Sequence, residues 1–187
     1  ITAPMSAPGS RYLSLVNTAR QGRRLEMQGL NMRHDRPVGR VPNTDMIRLG
    51  GFQDYLLVDV EVGSSDNMGI AIGRADARDR PARSITMVRP RVGGHREATP
   101  HEYASIGDSG IWIVNAPTKC DILSPWVRET GDDGILVGES QSPDAGHVNI
   151  EDADVADCGG NGICVSVPHG QITGRIRRTN QSGVALQ

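Results

Sequence analysis

The sequence predicts an all-β fold: a single-stranded, right-handed parallel β-helix, or solenoid, of about six coils with loop insertions. Three observations support this prediction. A phrase close to Gly-Ile-x-Val recurs along the chain, as GIAIG from Gly69, GIWIV from Gly110 and GILVG from Gly134. A strand-like alternating segment precedes each copy, and no intervening stretch has the 3.6-residue period of a helix. Each repeat therefore reads as two strands joined by turns.

One aliphatic residue anchors each copy of the phrase. The anchors recur at intervals of about 21 to 41 residues and are Ile47, Ile70, Ile111, Ile135, Ile163 and Val184. The preceding alternating segments begin at Leu25, Tyr55, Ser84, Cys120, His147 and Gln171. A single repeat cannot bury its apolar side, so we expect the repeats to stack at the ~4.8 Å spacing of β-strands. The anchors Ile70, Ile111, Ile135 and Ile163 should then form one buried ladder.

The same pattern divides the chain into two regions. Residues 1–20 fit no repeat and are predicted to be an N-terminal cap or linker, whereas residues 21–187 are predicted to form the β-helix. The last repeat has no polar cap, which predicts an incomplete C-terminal end that continues in a longer chain or meets a partner. Insertions begin at Gly73 and Gly93, and insertions in solenoids often collect on the face that binds ligands.

Composition argues against several classes of partner. The 187 residues include 20 Lys+Arg and 22 Asp+Glu, a formal net charge of −2, so we expect neither nucleic acid nor membrane as a partner. No apolar run approaches the ~18 residues of a membrane span, and no signal peptide is visible. Cys158 and Cys164 are expected to be small buried thiols, with a disulfide as the alternative.

Acidic residues cluster just before the Gly-Ile strands, where we expect one column of corner residues. Its members are Asp45, Asp66, Asp108, Asp132, Asp133 and Asn161. Carboxylates on neighbouring strands would lie roughly 5 Å apart, and those two strands apart nearly 10 Å. These distances bracket the separations used by retaining and inverting glycosidases, and clustered carboxylates raise one another's pKa. The alternative is turn chemistry, since Asp and Asn favour tight turns.

The phrases GDSGI, TGDDGI, GGNG and GRIRR, from Gly107 to the C-terminus, resemble the polygalacturonases, which are pectin-lyase-like glycoside hydrolases. The resemblance implies catalytic roles for Asp108, Asp132 and Asp133. It places Asn161 where the family has a histidine and Arg177 where it has a lysine, both at the substrate. PNTDMI offers a second register, with Asp45 and Asp66 as alternative catalytic residues.

A similar architecture and similar corner phrases occur in bacteriophage tailspikes, which bind and often cleave surface polysaccharides as homotrimers. This resemblance implies a polysaccharide substrate or receptor, a homotrimer, and an extracellular or virion-surface location. Trp112 follows the inward Ile111 and should face the cleft as a stacking surface, with His95 also contacting substrate. No cofactor or metal is implied. The alternative function is a non-catalytic structural or receptor-binding segment.

Three weaker hypotheses compete for the same residues. GDSG resembles the nucleophile phrase of chymotrypsin-like proteases, with His34 and Asp59 as conceivable partners, although the repeat explains it equally well. Metal ions are conceivable at His95, His101 and Glu102, and calcium at Glu151, Asp152, Asp154 and Asp157. Solvated polar surfaces are the alternative for both sets. Arg175, Arg177 and Arg178 would bind an acidic sugar or protect a sheet edge.

Overall fold

The computed structural model describes residues 13–16, 22–32, 45–65, 67–73, 82–94, 105–115, 117–140 and 146–186. Every regular element in these ranges is a strand, which confirms the all-β class. The strands are β1 (Leu13–Val16), β2 (Gly22–Gln28), β3 (Asn31–Met32), β4 (Ile47–Gly50), β5 (Phe52–Val58), β6 (Glu61–Val62), β7 (Ile70–Ile72), β8 (Ser84–Val88), β9 (Arg91–Val92), β10 (Ile111–Asn115), β11 (Lys119–Leu123), β12 (Trp126–Thr130), β13 (Ile135–Ser140), β14 (His147–Cys158), β15 (Ile163–Val165), β16 (His169–Thr179) and β17 (Val184–Leu186). Among the same residues, no helix is long and apolar enough to cross a membrane.

The strands form two sheets, and every pairing between named strands is parallel. The first sheet has the order β1-β4-β7-β10-β13-β15-β17. The second has the order β2-β5-β8-β11-β14-β12-β9-β6-β3, and β16 pairs with β14 beside this path. The chain therefore alternates between the sheets, as the two-strand repeats predict. Parallel neighbours cannot be joined by a hairpin, so each must be reached through the other sheet.

The predicted isoleucine ladder is confirmed. Ile70, Ile111, Ile135 and Ile163 align in register on successive strands of the first sheet, and all four are fully buried. Ile47 precedes them and Val184 follows them at the same position. The core lies between the sheets, because the second sheet directs its own alternate residues inward. Val148, Ile150 and Val155 are buried as predicted, whereas Asn149, Glu151 and Asp154 are not.

The segment Leu13–Val16 extends the first sheet beyond the repeats identified in the sequence. It pairs in parallel with β4, so that Leu13 aligns with Ile47 and Leu15 with Leu49. This strand lies within residues 1–20, the predicted cap or linker. It has no Gly-Ile phrase, and its position follows only from the pairing with β4.

A left-handed residue bends the chain at one repeated position in the second sheet. Gly29, Asp59, Arg89, Ser124 and Asp152 have φ between 50° and 64°. Each of the last four directly follows residues that pair across the sheet. The bend divides the earlier repeats into two short strands, whereas β14 runs through it and pairs with both β11 and β12. Glycine, aspartate and serine suit this conformation or the turns that contain it, and it recurs at the same position of successive repeats.

A second left-handed position lies near the C-terminal ends of strands in the same sheet. It is occupied by Gly94, Glu129, Asp157 and Arg178. The preceding glycine, Gly93, also has positive φ, and a Cβ there would overlap the carbonyl oxygen of Arg128. Glycine is required at this position by the close approach of the neighbouring repeat, in addition to its backbone conformation.

Replacing Ile135 with Asp should unfold the chain, because an unpaired charge would enter the buried ladder. We expect a loss well above the ~1 kcal/mol of an average substitution, measured by thermal or urea denaturation. The matched control is Val184→Asp, at the same repeat position but 42% exposed. An equal loss of stability in both variants would contradict the difference in burial between these two positions.

The variants Gly93→Ala and Gly29→Ala should separate close approach from backbone strain. Both glycines have positive φ, but none of the residues that the structure describes lies within 4 Å of a Cβ at Gly29. We expect Gly29→Ala to cost about 1 kcal/mol from its left-handed backbone alone. Gly93→Ala should cost clearly more, as read from denaturation midpoints. Equal midpoints would show that the contact with Arg128 is relieved at no cost.

Candidate functional site

Asp108, Asp132 and Asp133 lie in turns that lead into the first sheet. We call residues 107–110, 131–134 and 159–162 the glycine turns; they precede β10, β13 and β15. Their backbones are bonded to one another: Asp132 N donates to Asp108 O at 3.3 Å, and Gly160 N donates to Asp132 O at 3.0 Å. The turns therefore stack like the strands that follow them, and Asp108 and Asp132 occupy one position in adjacent repeats.

The prediction of a single column of corner residues is wrong. Asp108 and Asp132 lie three residues before their aligned isoleucines, whereas Asp133 and Asn161 lie two residues before theirs. Asp45 shares the position of Asp133, and Asp66 lies outside the described residues. The acidic residues thus form two columns, because one position within a turn changes both the direction and the burial of a side chain.

Asp133 is bound into the structure of the turns. Its side chain is buried, and its Oδ1 accepts hydrogen bonds from the backbone N of Asn161 at 2.6 Å and from Asn161 Nδ2 at 3.0 Å. Asn161 Oδ1 in turn accepts a hydrogen bond from Ser182 N at 3.2 Å. Asp45 is likewise buried, and its Oδ1 accepts from Asn67 Nδ2 at 2.7 Å. This column links neighbouring repeats through side-chain hydrogen bonds.

Asp132 is exposed, in contrast to Asp133. Partial desolvation raises the pKa of Asp132 above its ordinary value of 3.8, and the negative charges of Asp133 and Asp108 raise it further. Asp108 is half-buried, and its Oδ1 accepts a hydrogen bond from Ser109 Oγ at 3.2 Å. The two carboxylates therefore occupy equivalent backbone positions but differ in their surroundings, which is the condition for distinct acid and base roles.

Gly160 occupies the position of Asp108 and Asp132 in the next repeat, and the carboxylate of Asp132 lies against it. A Cβ on Gly160 would overlap Asp132 Oδ1 and would lie 2.6 Å from Asp133 Oδ1. Any larger residue at this position would have to displace the carboxylates. The turn after Asp132 thus has no side chain where Asp108 and Asp132 have theirs.

Trp112 differs from its predicted role. Its side chain lies opposite the main core, as the alternation with Ile111 and Ile113 predicts. It is only 5% exposed, however, in a small cluster with Met68 and Ala71. The expectation of an open stacking surface for a sugar is therefore wrong, because apolar neighbours cover the indole.

The other predicted substrate residues either lie away from the glycine turns or fall outside the described residues. Arg177 is exposed on the second sheet, where its Nη2 lies 3.1 Å from Asp154 Oδ1. His95 lies outside the described residues, as do His101, Glu102 and His34. Two residues of the protease hypothesis are described. Ser109 donates a hydrogen bond to Asp108, and Asp59 Oδ1 lies 2.7 Å from Arg89 Nε. These contacts give neither residue a role in a triad.

The remaining hypotheses concern metals and thiols. Among the residues that the structure describes, no three His, Cys, Asp or Glu side chains are arranged to hold a metal ion. Asp154 and Asp157 of the suggested calcium set instead bond to Arg128 and Arg178. Cys158 and Cys164 are buried and free, as expected, and burial raises the pKa of both thiols.

Sequence reasoning did not identify the contacts around Trp126. The guanidinium groups of Arg91 and Arg128 each lie 4.8 Å from its ring centroid. Arg128 lies two residues after Trp126 on β12, but Arg91 is distant in the chain, and only the register of β9 with β12 brings it beside Trp126. No family model, curated protein or solved structure matches this chain, so functional inference depends on these contacts and on the repeat.

Replacing Asp133 with Ala should destabilise the protein by about 1–3 kcal/mol, because two donors of Asn161 would lose their buried acceptor. Asp132→Ala is the adjacent control, and it should be neutral or slightly stabilising at neutral pH. Urea denaturation of both variants measures the difference. Equal losses would mean that the bonds to Asn161 contribute nothing specific to stability.

The pH dependence of the same measurement tests Asp132 separately. Its folded pKa is raised, so its contribution to stability is present below the ordinary value of 3.8 and is lost as the pH rises through the folded pKa. The variant lacking this carboxylate should therefore gain stability relative to the parent above about pH 4. Parallel pH profiles would contradict the raised pKa.

Proposed function

We propose that the two sheets belong to a right-handed parallel β-helix of the pectin-lyase-like class. Three observations support this proposal: the chain alternates between the sheets, all strand pairs are parallel, and the left-handed bend recurs at one repeat position. Crossover connections between parallel strands of one sheet are right-handed in nearly all proteins. Successive passages through the two sheets would then form the coils of a solenoid.

We propose that this solenoid binds and cleaves a polysaccharide as a glycoside hydrolase, with Asp108 and Asp132 as its carboxylate pair. The supporting observation is that the two residues share one position in adjacent repeats, with the pKa of Asp132 raised. A carboxyl group that remains protonated closer to neutral pH suits the general acid, and a second carboxylate one strand away suits the nucleophile or base.

The spacing favours a retaining reaction. Adjacent strands are ~4.8 Å apart, close to the ~5–5.5 Å between carboxyl groups in retaining enzymes. Asp132 would protonate the glycosidic oxygen while Asp108 attacks the anomeric carbon, which forms a glycosyl ester and releases the leaving sugar. Asp132 would then take a proton from water as that water attacks the same carbon and frees Asp108.

Asp133 has a positioning role in this proposal. Its hydrogen bonds to Asn161 join the glycine turns 131–134 and 159–162. Its charge contributes to the raised pKa of Asp132. The alternative pair, Asp45 and Asp66, is less suited because Asp66 lies four residues before Ile70 and Asp45 only two before Ile47. These two residues do not share a repeat position.

A second function, a non-catalytic structural or receptor-binding β-helix, has its own supporting observation. Asp45, Asp133 and Asn161 all make hydrogen bonds between repeats, which is the behaviour of turn residues. In this role the chain would be a segment of a bacteriophage tailspike, working as a homotrimer outside the cell or on the virion surface. A polysaccharide would then be the receptor.

We further propose that the edge formed by β16 and β17 meets another strand pair, from a longer chain or from a partner. Val184 and Leu186 are 42% and 76% exposed, whereas the aligned Ile163 and Val165 are buried. A further strand beside β17 would bury these two side chains, as the equivalent side chains are buried elsewhere in the first sheet.

The catalytic proposal is tested with the variants Asp108→Asn and Asp132→Asn, assayed on a panel of acidic and neutral polysaccharides for new reducing ends. On any substrate that the parent cleaves, we expect a loss of ~10²-fold or more in each variant with the fold retained. Thr86→Val, on the second sheet, is a control that should leave activity unchanged.

The result also separates the two functions. Full activity in both aspartate variants would exclude this carboxylate pair. Binding of a polysaccharide by the parent, with neither new reducing ends nor ultraviolet-absorbing unsaturated product, would support the receptor-binding function instead.

A further inference from the structure

One part of the second sheet presents a group of arginines around an aromatic ring on its outer face. Arg91, Trp126, Asp154 and Arg175 align on the successive strands β9, β12, β14 and β16. Arg128 and Arg177 lie two residues further along β12 and β16, on the same face. We call these six residues the arginine–tryptophan cluster.

Trp126 and Arg128 form the fixed centre of the cluster. The ring of Trp126 lies 4.8 Å from the guanidinium carbons of both Arg91 and Arg128, within the range of cation–π attraction. The side chain of Arg128 is only 12% exposed, and its Nη2 lies 2.5 Å from Asp154 Oδ2. Its Nη1 also donates to the carbonyl oxygen of Asp154 at 2.6 Å. These contacts hold the side chain of Arg128 in place, and Arg128 in turn orients the neighbouring Trp126 and Asp154.

The exposed arginines surround this centre. Arg91 and Arg175 are exposed and lie three strand spacings apart, about 14 Å. Arg177 is half-exposed and shares Asp154 with Arg128. Four arginines thus accompany one aspartate within the cluster, and Glu61 aligns with Arg91 at its border. The surface is locally basic on a chain whose net charge is −2.

We propose that the arginine–tryptophan cluster binds the carboxylates of an acidic polysaccharide, a linear polymer of uronic acid units that crosses the strands. The proposal deepens the proposed function and rests on it for the carbohydrate nature of the ligand. Exposed guanidinium groups at both ends of the cluster match a polymer that carries a carboxylate on every unit. The carboxylate of Asp154 would accept hydrogen bonds from sugar hydroxyls.

The mixture of donors and acceptors favours a polysaccharide over a nucleic acid. A DNA backbone presents repeated phosphates but no hydroxyl groups that could donate to the carboxylate of Asp154. Single-stranded nucleic acids also need aromatic faces for base stacking, but guanidinium groups already lie over the ring of Trp126. A uronic acid polymer offers both anionic groups and hydroxyl donors.

The cluster and the proposed carboxylate pair are positioned by one strand. β12 carries Trp126 and Arg128 and leads through Thr130 and Gly131 into Asp132. Thr130 Oγ1 donates a hydrogen bond to the carbonyl oxygen of Asp132 at 2.9 Å. A polymer held on the outer face of β12 would therefore be anchored by the same strand that sets the position of Asp132.

The test measures binding of polygalacturonate by calorimetry at low and moderate salt, with the Asp132→Asn protein as the background to suppress cleavage. The double variant Arg91→Gln/Arg175→Gln should weaken binding at least about tenfold. The control Arg23→Gln/Arg24→Gln removes the same charge from exposed positions on β2 and should leave binding unchanged. Melting temperatures of both double variants verify folding.

Two further probes decide the ligand class. The methyl-esterified polymer has the same backbone without charge and should bind at least about tenfold more weakly. Absent binding, equal binding of the esterified polymer, equal loss in the control variant, or tighter binding of oligothymidine would each overturn this inference. Cleavage of a neutral polysaccharide without uronate binding would overturn it while leaving the glycosidase proposal intact. Binding without cleavage would do the reverse.

Discussion

The parallel, in-register pairing of equivalent residues is the constraint on which the rest of this structure depends. It places Ile111 against Ile70 on one side and Ile135 on the other, so this buried side chain meets an isoleucine in both neighbouring repeats. A slip of one residue would exchange Ile135 for Leu136 and turn the ladder toward the outside. The same pairing brings the glycine turns together, because only four residues connect β12 to β13 and the backbones of adjacent turns are hydrogen-bonded. Side chains outside the core are therefore placed by the core.

The sequence predicted those features that depend on this repetition. The Gly-Ile phrase marks the register directly, so the ladder positions and the buried faces of β14 could be read from spacing and alternation alone. Leu13–Val16 carries no such phrase, and only its pairing with β4 reveals it. The left-handed conformations of Arg89, Glu129 and Arg178 were equally hidden. These residue types do not favour that conformation, and the stacking of equivalent positions imposes it.

In the candidate site, the repeat pattern does not predict which side chains are buried. A difference of one position between Asp132 and Asp133 is small in sequence, yet it separates an exposed carboxylate from a buried one that is bonded to Asn161. Within a tight turn, adjacent side chains point in different directions, and a repeat pattern does not record which of them is covered. The burial of Trp112 has a related cause: alternation correctly predicts that it faces away from the core, but not that Met68 and Ala71 cover it.

Stacked repeats also govern the electrostatics of the surface. Equivalent positions lie ~4.8 Å apart, so like charges in one column repel, as Asp108 and Asp132 do. On the outer face of the second sheet, several acidic side chains are instead paired with arginines from neighbouring repeats. Asp59 is paired with Arg89, Asp157 with Arg178, and Asp154 with both Arg128 and Arg177. The balance is incomplete around Trp126, where Arg91 and Arg175 add positive charge. A surface built from regularly spaced strands is suited to a ligand that is itself a regular polymer, because successive units can meet successive strands. Under the proposal that this surface binds a polymer, its excess of arginine requires that the polymer be negatively charged.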